Sequence, residues 1–247
     1  MKHVLMFLCV LPFLSGSPAK EQITKESILS NGHKRTYYLF VPEKLDTSKP
    51  APLIVTLHGS GRNGRILLDH WKGLAEKEGI ILAGPDSTNS ASWQTPHDGP
   101  DFLRDVVEAV KATYAINPRR VYLFGHSAGA VFGLYMSLFE SEYFAATAVH
   151  AGALDTGRDP ALIDYAKRKT PIAIFVGTND AFFPLKDVRA TRDLLNARGF
   201  SVELAEVPHH THDYYSRASE INRSAWEFLK KQELAADPQY TQYEFKR

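Results

Sequence analysis

The segment around Ser127 constrains the fold of this chain more than any other. It reads Gly-His-Ser-Ala-Gly from Gly125 to Gly129, follows the β-prone run Arg120–Phe124 and precedes the helix-prone run Ala130–Met136. A strand, a Gly-x-Ser-x-Gly turn and a helix in this order are typical of a nucleophile elbow, a sharp turn that exposes a serine hydroxyl. The glycines fit that turn because a Cβ at either position would collide with the neighbouring strand or helix. The alternative is that Ser127 only caps the following helix, since serine is a preferred N-cap residue.

The rest of the chain alternates between short apolar runs and segments of helical periodicity. The predicted strands are Ile23–Ser30, Arg35–Val41, Pro52–Leu57, Ile80–Ala83, Arg120–Phe124, Ala145–Val149, Ile172–Val176 and Val202–Val207. The predicted helices are Leu67–Glu78, one that begins at Asp101, Ala130–Met136, Ala190–Ala197 and Ile221–Leu229. Such alternation predicts an α/β fold with a mostly parallel sheet and helices on both faces. The first two strands, joined by the hairpin signal Asn31-Gly32, would form an antiparallel edge.

The N-terminus has the pattern of a secretory signal peptide. A short basic start precedes the apolar stretch Val4–Leu14 and the small residues Ser15–Ala19, so we expect cleavage after Ala19. Residues 20–247 would then form one catalytic domain, secreted or periplasmic and not bound to a membrane after cleavage. Cys9 is the only cysteine, so the mature chain would contain none. The polar C-terminal stretch from Ala235 is predicted to pack loosely on the surface.

The charge of the chain argues against a nucleic-acid partner. Its formal net charge is +1 over 247 residues, and no basic run stands out. Binding to a nucleic acid requires a clustered basic surface. We therefore expect no nucleic-acid partner, and no cofactor-binding motif is evident.

If Ser127 is a nucleophile, it needs a base and an acid that orients the base. In this type of fold the acid comes first and the histidine last, each in a loop after a strand. Asp180 follows the strand Ile172–Val176 and is the candidate acid, although it would also suit a local turn. Asp213 is disfavoured because it follows the histidines.

The candidate base lies in the sequence Pro208-His209-His210-Thr211-His212-Asp213, after the last strand. Its position identifies the segment but leaves His212 and His210 both open. A metal site formed by His209, His210, His212 and Asp213 is an alternative, since imidazole and carboxylate groups suit zinc. The closeness of these four residues in sequence, with no second cluster, argues against it.

A tetrahedral oxyanion requires two backbone donors. The amide of Ala128, directly after the nucleophile, is one candidate. The second is the amide of Ser60, in the glycine-rich segment from His58 to Gly64 after the third strand. We expect His58 to order this segment and not to act as the base.

With these segments placed, the chain resembles the secreted α/β-hydrolase esterases related to polyhydroxybutyrate depolymerases and to feruloyl or acetylxylan esterases. The motifs that carry the resemblance are His58–Gly61, Asp101–Leu103, Ile116–Tyr122, Gly125–Gly129, Tyr143–Ala146, Gly177–Asp180 and His210–Tyr215. The resemblance implies a triad of Ser127, Asp180 and His212. The histidine segment differs from these esterases in lacking a glycine-rich start.

These residues predict a serine ester hydrolase that forms an acyl-enzyme on Ser127 and requires no metal. The short stretch from Ala151 to Lys169 leaves room for a small cap or none, and an open site suits feruloyl or acetyl groups on a polysaccharide, or a polyester. Trp93, Phe182 and Phe183 are candidates for an aromatic substrate-binding wall. The alternatives are a serine peptidase of the same fold and a non-catalytic exported binding protein.

Overall fold

The computed structural model of the protein describes residues 23–158 and 160–242, and the predicted signal peptide lies outside the described residues. An eight-stranded sheet forms the centre of the molecule, with strand order β1-β2-β4-β3-β5-β6-β7-β8. The strands are β1 Ile23–Ser30, β2 His33–Phe40, β3 Ala51–Leu57, β4 Ile81–Pro85, β5 Ile116–His126, β6 Ala146–His150, β7 Ile172–Gly177 and β8 Val202–Val207. The helices are α1 Arg65–Glu78, α2 Asp101–Thr113, α3 Ala128–Phe139, α4 Leu185–Ala197 and α5 Ala218–Leu229.

The strand directions confirm the predicted α/β architecture. β1 pairs antiparallel with β2, and β2 pairs antiparallel with β4. All other neighbouring strands are parallel. Asn31 and Gly32 form the predicted hairpin turn, both with positive φ. The loops after the parallel strands therefore meet at one edge of the sheet, where α/β folds place their binding sites.

Helices cover both faces of the sheet, as predicted. Helices α1 and α5 pack on one face around Trp71, Phe124 and Trp226. On the other face α2, α3 and α4 bury the second set of side chains of the central strands. The central strand β3 is buried along its whole length, which explains its continuous apolar sequence.

The two largest boundary differences from the sequence prediction are at the starts of β5 and α4. Strand β5 begins at Ile116 instead of Arg120, and α4 begins at Leu185 instead of Ala190. Three of the first five residues of α4 are charged, so its apolar periodicity is weak there, although Val188 is fully buried. Two 3-10 helices, Pro160–Tyr165 and Tyr214–Arg217, are too short to produce a periodic pattern.

The region above the sheet edge carries little covering structure. Between β6 and β7 the described residues contain only the 3-10 helix Pro160–Tyr165, which agrees with the predicted small or absent cap. Within the described part of the chain, no helix is both long and apolar enough to cross a membrane.

The C-terminal stretch is more specifically packed than predicted. The Gln239 amide donates to the Glu142 carbonyl (3.0 Å), and the Thr241 amide donates to Glu140 Oε2 (3.1 Å). The Tyr240 ring packs against the apolar cluster under α2. The expectation of loose packing is therefore wrong as far as Thr241, because these contacts join residues about a hundred positions apart and leave no local pattern.

Candidate active site

Ser127 occupies a strained turn between β5 and α3. Its backbone has φ 56° and ψ −120°, a conformation that non-glycine residues rarely adopt. A Cβ on Gly125 would overlap the backbone of Gly129, and one on Gly129 would overlap the Leu57 carbonyl of β3. Ser127 makes no side-chain capping bond to α3, so the alternative role as an N-cap is not supported. The turn holds the Ser127 hydroxyl at the carboxyl edge of the sheet.

Three of the predicted site residues come together at this edge. His212 Nδ1 lies 2.9 Å from Asp180 Oδ2, and His212 Nε2 lies 2.9 Å from Ser127 Oγ. A carboxylate only accepts hydrogen bonds, so the Nδ1 proton points to Asp180 and the Nε2 lone pair points to the serine hydroxyl. His212 is thus oriented to remove a proton from Ser127.

The Asp180 carboxylate is fixed by backbone donors that sequence reasoning missed. The amides of Phe182 and Phe183 both donate to Asp180 Oδ1, each at 2.9 Å. Oδ2 is left for His212. The turn after β7 produces this arrangement. The only indication of it in the sequence is an aspartate that is followed by a short turn.

Asp213, the rival acid, lies apart from this arrangement. It accepts the backbone amide of Tyr215 and caps the 3-10 helix Tyr214–Arg217. The sequence order that disfavoured Asp213 therefore agrees with its placement.

The segment 58–64, called here the His58 loop, is tied to the loop after β4. The Ser87 amide donates to His58 Nε2 (3.2 Å), so Nδ1 carries the proton and donates to the Gly59 carbonyl (2.9 Å). Burial lowers the pKa of His58. The Gly64 amide donates to Asp86 Oδ1 (2.7 Å). The placement of His58 agrees with an ordering role.

The two candidate oxyanion donors lie on either side of the serine turn. Ser60 is exposed in the His58 loop, and Ala128 is the first residue of α3. Amides in the first turn of a helix have no carbonyl partner within the helix. Gly59 borders Ser127 directly, since a Cβ built on Gly59 would lie 3.3 Å from Ser127 Cβ. The His58 loop therefore passes beside the hydroxyl.

The three predicted wall residues occupy different environments. The rings of Phe182 and Phe183 flank the His212 ring at centroid distances of 4.7 and 5.8 Å, and Phe182 is 75% exposed. Trp93 is partly buried, stacks on Phe132 at 5.0 Å and donates its indole N–H to the His58 carbonyl (2.9 Å). Phe182 and Phe183 thus lie beside the reactive group, whereas Trp93 supports the His58 loop.

His210, the second candidate base, faces away from Ser127 and into the protein. His210 Nε2 lies 3.2 Å from His150 Nε2, and His150 Nδ1 lies 3.1 Å from His126 Nδ1. Burial lowers the pKa values of all three rings, that of His126 to about 4 and that of His150 to about 2. These three buried rings, called here the histidine chain, are neutral at pH 7. Sequence reasoning did not find the chain, because His126 and His150 are far apart in sequence.

The histidine-rich segment does not gather into a metal site. His210 faces His150 and His212 faces Ser127, so their nitrogens do not converge. Among residues 23–158 and 160–242, no group of three or more potential ligand side chains is close enough to hold a metal ion.

Comparisons with known proteins agree with this fold. The sequence profile described as the dienelactone hydrolase family matches residues 86–238. The chain is 29% identical over 156 residues to the bifunctional acetylxylan esterase/xylanase XynS20E of Neocallimastix patriciarum, a match that covers 60% of this chain and 22% of that protein. It is 30% identical over 152 residues to a probable feruloyl esterase C of Aspergillus terreus, covering 55% of this chain and 56% of that protein.

A solved structure shares the fold over most of the described chain. The S-formylglutathione hydrolase of Staphylococcus aureus superposes with a TM-score of 0.71 at 16% identity, covering 84% of this chain and 98% of that one. In contrast, this chain spans about half or less of the length of the two curated relatives above.

Proposed function

The chain belongs to the dienelactone hydrolase family, and we propose that it hydrolyses carboxylic esters with Ser127 as the nucleophile. The observation that carries the proposal is the pair of 2.9 Å contacts from His212 to Ser127 and Asp180. A serine hydroxyl is a weak nucleophile at neutral pH and becomes effective beside an oriented base. The named esterases among the relatives support an ester as the substrate class.

In the acylation step, Ser127 Oγ attacks the ester carbonyl while its proton passes to His212 Nε2. Asp180 keeps the Nδ1 proton in place and stabilises the imidazolium that forms. The oxyanion accepts hydrogen bonds from the amides of Ala128 and Ser60, and each such donor contributes about 3 kcal/mol to the transition state. His212 then gives its proton to the departing alkoxide, which leaves as the alcohol.

In the deacylation step, water takes the place of the alcohol. His212 removes a proton from the water as its oxygen attacks the acyl carbon on Ser127. The tetrahedral intermediate collapses, the acid product leaves, and the proton returns from His212 to Ser127 Oγ.

For the substrate we propose an acyl ester attached to a polymer, such as a feruloyl or acetyl ester of a polysaccharide, or a polyester. Two features support a polymer: the small amount of structure between β6 and β7, and the exposure of Phe182 at the site. Phe182 and Phe183 would contact the acyl group, because both rings lie against His212. The acetylxylan and feruloyl esterases among the relatives support the same class. A secreted or periplasmic location would bring the enzyme to such polymers.

The test is hydrolysis by Ser127→Ala of a panel containing a short nitrophenyl ester, feruloylated and acetylated polysaccharides, a polyester and a peptide nitroanilide. We expect the wild type to cleave esters and not the nitroanilide, and Ser127→Ala to lose about 10⁴-fold or more in kcat. Ser48→Ala, which changes an exposed serine far along the chain, is the matched control. Equal ester turnover by Ser127→Ala and wild type would refute the proposal, and faster cleavage of the nitroanilide than of any ester would indicate a peptidase.

A further inference from the structure

The histidine chain connects the two loops that carry Ser127 and His212. His126 directly precedes Ser127, and His210 is two residues before His212. His150, the last residue of β6, lies between them and contacts both rings, at 3.1 and 3.2 Å. One buried side chain therefore bridges the serine turn and the segment 208–213, called here the His212 loop.

Backbone hydrogen bonds also tie the serine turn and the His212 loop to neighbouring segments. The Ser127 amide donates to the His150 carbonyl (3.0 Å), so β6 holds the serine turn through both its backbone and the His150 ring. The Asn179 amide donates to the His210 carbonyl (2.9 Å), which ties the His212 loop to the loop carrying Asp180. The His150 ring adds a hydrogen-bonded side-chain link between these two backbone ties.

The chemistry of the link requires an imidazole at position 150. Each nitrogen-to-nitrogen contact needs one N–H and one lone pair. A neutral imidazole has one of each, so His150 donates through one ring nitrogen and accepts through the other. His150 is fully buried, and an apolar side chain there would leave both neighbouring rings without this partner.

We propose that His150 is a positioning residue, which holds Ser127 Oγ and His212 Nε2 at the separation needed for proton transfer by joining the rings of His126 and His210. This inference rests on the proposed function of Ser127 and His212. A displacement of about 1 Å between reacting groups can cost about a hundredfold in rate, so small shifts of either loop matter. His150 contacts neither Ser127 Oγ nor the His212 ring by a hydrogen bond, so it acts through its neighbours.

The charge of the histidine chain fits this role. The His126 ring lies 5.1 Å from the His212 ring, and a cation there would oppose the imidazolium that forms during catalysis. Burial lowers the pKa of His126 to about 4 and also lowers the pKa values of His150 and His210, so the chain is neutral at pH 7. The other ionisable groups that act on its three rings are Asp180, His212, Asp213, Arg217 and Glu220.

The test uses three substitutions of the same residue. His150→Phe removes both contacts, His150→Asn keeps a polar group near His126, and His150→Gln keeps one near His210. Labelling with a serine-directed phosphonate counts the competent sites, and kcat is expressed per labelled site. Thr147→Val is the matched control, since Thr147 is also fully buried on β6 and its hydroxyl accepts a 2.6 Å hydrogen bond from Ser137 Oγ on α3.

We expect His150→Phe to lower kcat per labelled site by about 10- to 100-fold, with KM within about twofold of wild type. His150→Asn and His150→Gln should lie between His150→Phe and wild type. The acidic limb of the pH–rate profile should shift in all three. Thr147→Val should lower the melting temperature and leave kcat per labelled site within about twofold of wild type.

A purely structural role for His150 would reduce the number of labelled sites or the melting temperature and leave kcat per site at the wild-type value. That result would overturn the inference while the proposed function stands. If His150→Phe does not fold, wild-type kcat per site in both His150→Asn and His150→Gln would overturn it equally. If the wild type is neither labelled nor active, the proposed function fails. In that case the ¹⁵N resonances of the His212 ring test the inference. The inference requires these resonances to differ between wild type and His150→Gln, and unchanged resonances would overturn it.

Discussion

Single side chains at this site are held by contacts that fix their protonation as well as their position. Asp180 illustrates this, because two backbone amides occupy one carboxylate oxygen and direct the other to His212 Nδ1. The Ser127 hydroxyl therefore faces an unprotonated nitrogen. The proposed reactivity of the site depends on the direction of these bonds as well as on the identity of the three residues.

Replacement of Asp180 should show whether activity depends on the direction of the hydrogen bond between Asp180 and His212. An asparagine side chain can present its NH₂ group to His212 Nδ1, which would place the imidazole proton on Nε2 and block acceptance from Ser127. We expect Asp180→Asn to lower kcat on a nitrophenyl ester by about 10⁴-fold with little change in fold. Asp213→Asn is the matched control and should stay within a few-fold of wild type, because the Asp213 carboxylate accepts from the Tyr215 amide, whereas the two His212 ring nitrogens contact Asp180 and Ser127. Equal losses in both variants would contradict the assignment of the acid.

At the residue scale, the order of the candidate residues along the chain predicted more of the site than the local sequence around each residue did. The Gly-x-Ser-x-Gly turn and the later position of Asp180 identified two members of the candidate triad from residues alone. The choice between His210 and His212 came from a resemblance, because both lie in the same short loop. The contact of His210 with His150 depends on tertiary packing, and no local pattern reveals it.

The elements of the fold divide into those that carry reactive groups and those that support them. The loop after β4 belongs to the second kind, since Trp93 binds the His58 carbonyl and packs on α3 through Phe132. The sequence predicted Trp93 as a wall residue because aromatic side chains near a site suggest contact with a substrate. The indole hydrogen bond indicates that Trp93 supports the His58 loop, and its contact with a substrate stays a prediction.

Substitution of Trp93 by phenylalanine separates these two roles. The variant keeps an aromatic ring on Phe132 but loses the indole hydrogen bond, so the His58 loop and the Ser60 amide should be less well fixed. We expect kcat to fall by about tenfold on every ester tested, with the order of preference unchanged. Trp226→Phe, which loses a 3.0 Å indole bond to Glu78 away from the site, should affect stability only. If Trp93→Phe changed the order of substrate preference, the result would instead support Trp93 as part of an aromatic substrate-binding wall.

Element types were easier to predict than their ends. The alternation of apolar runs gave the sheet and its helices, since buried parallel strands need apolar side chains on both faces. The start of α4 was not predicted because three of its first five residues are charged, and the two 3-10 helices were not predicted because they are too short to produce a periodic pattern.

On the scale of the whole molecule, the C-terminal stretch packs at the end of α3 that is opposite to Ser127. Its docking point is Glu140, at the end of α3, where a buried carboxyl accepts the Thr241 amide. Burial raises the pKa of Glu140 to about 8. The folded protein therefore retains the Glu140 proton over a pH range in which the unfolded chain loses it.

This shift predicts a pH dependence of stability. Between about pH 4.5 and pH 8 the folded state binds more protons at Glu140 than the unfolded state, so stability falls as the pH rises through this window. Glu140→Gln cannot lose a proton, and its melting temperature relative to wild type should increase from pH 5 to pH 8. Glu227→Gln changes an exposed residue on α5 and is the control. Its melting temperature should have the same pH dependence as that of wild type. If the melting temperature of Glu140→Gln had the same pH dependence as that of wild type, the raised pKa of Glu140 would be contradicted.

Covalent labelling of Ser127 tests the central claim most directly. The wild-type protein is treated with a serine-directed phosphonate, digested and measured by mass spectrometry, with Ser127→Ala and His212→Gln treated alongside. We predict one adduct per chain on the peptide that contains Ser127, none in Ser127→Ala, and labelling slowed by about a thousandfold or more in His212→Gln because the base is lost. A folded wild-type protein without an adduct on that peptide, or equal labelling of Ser127→Ala, would contradict the account.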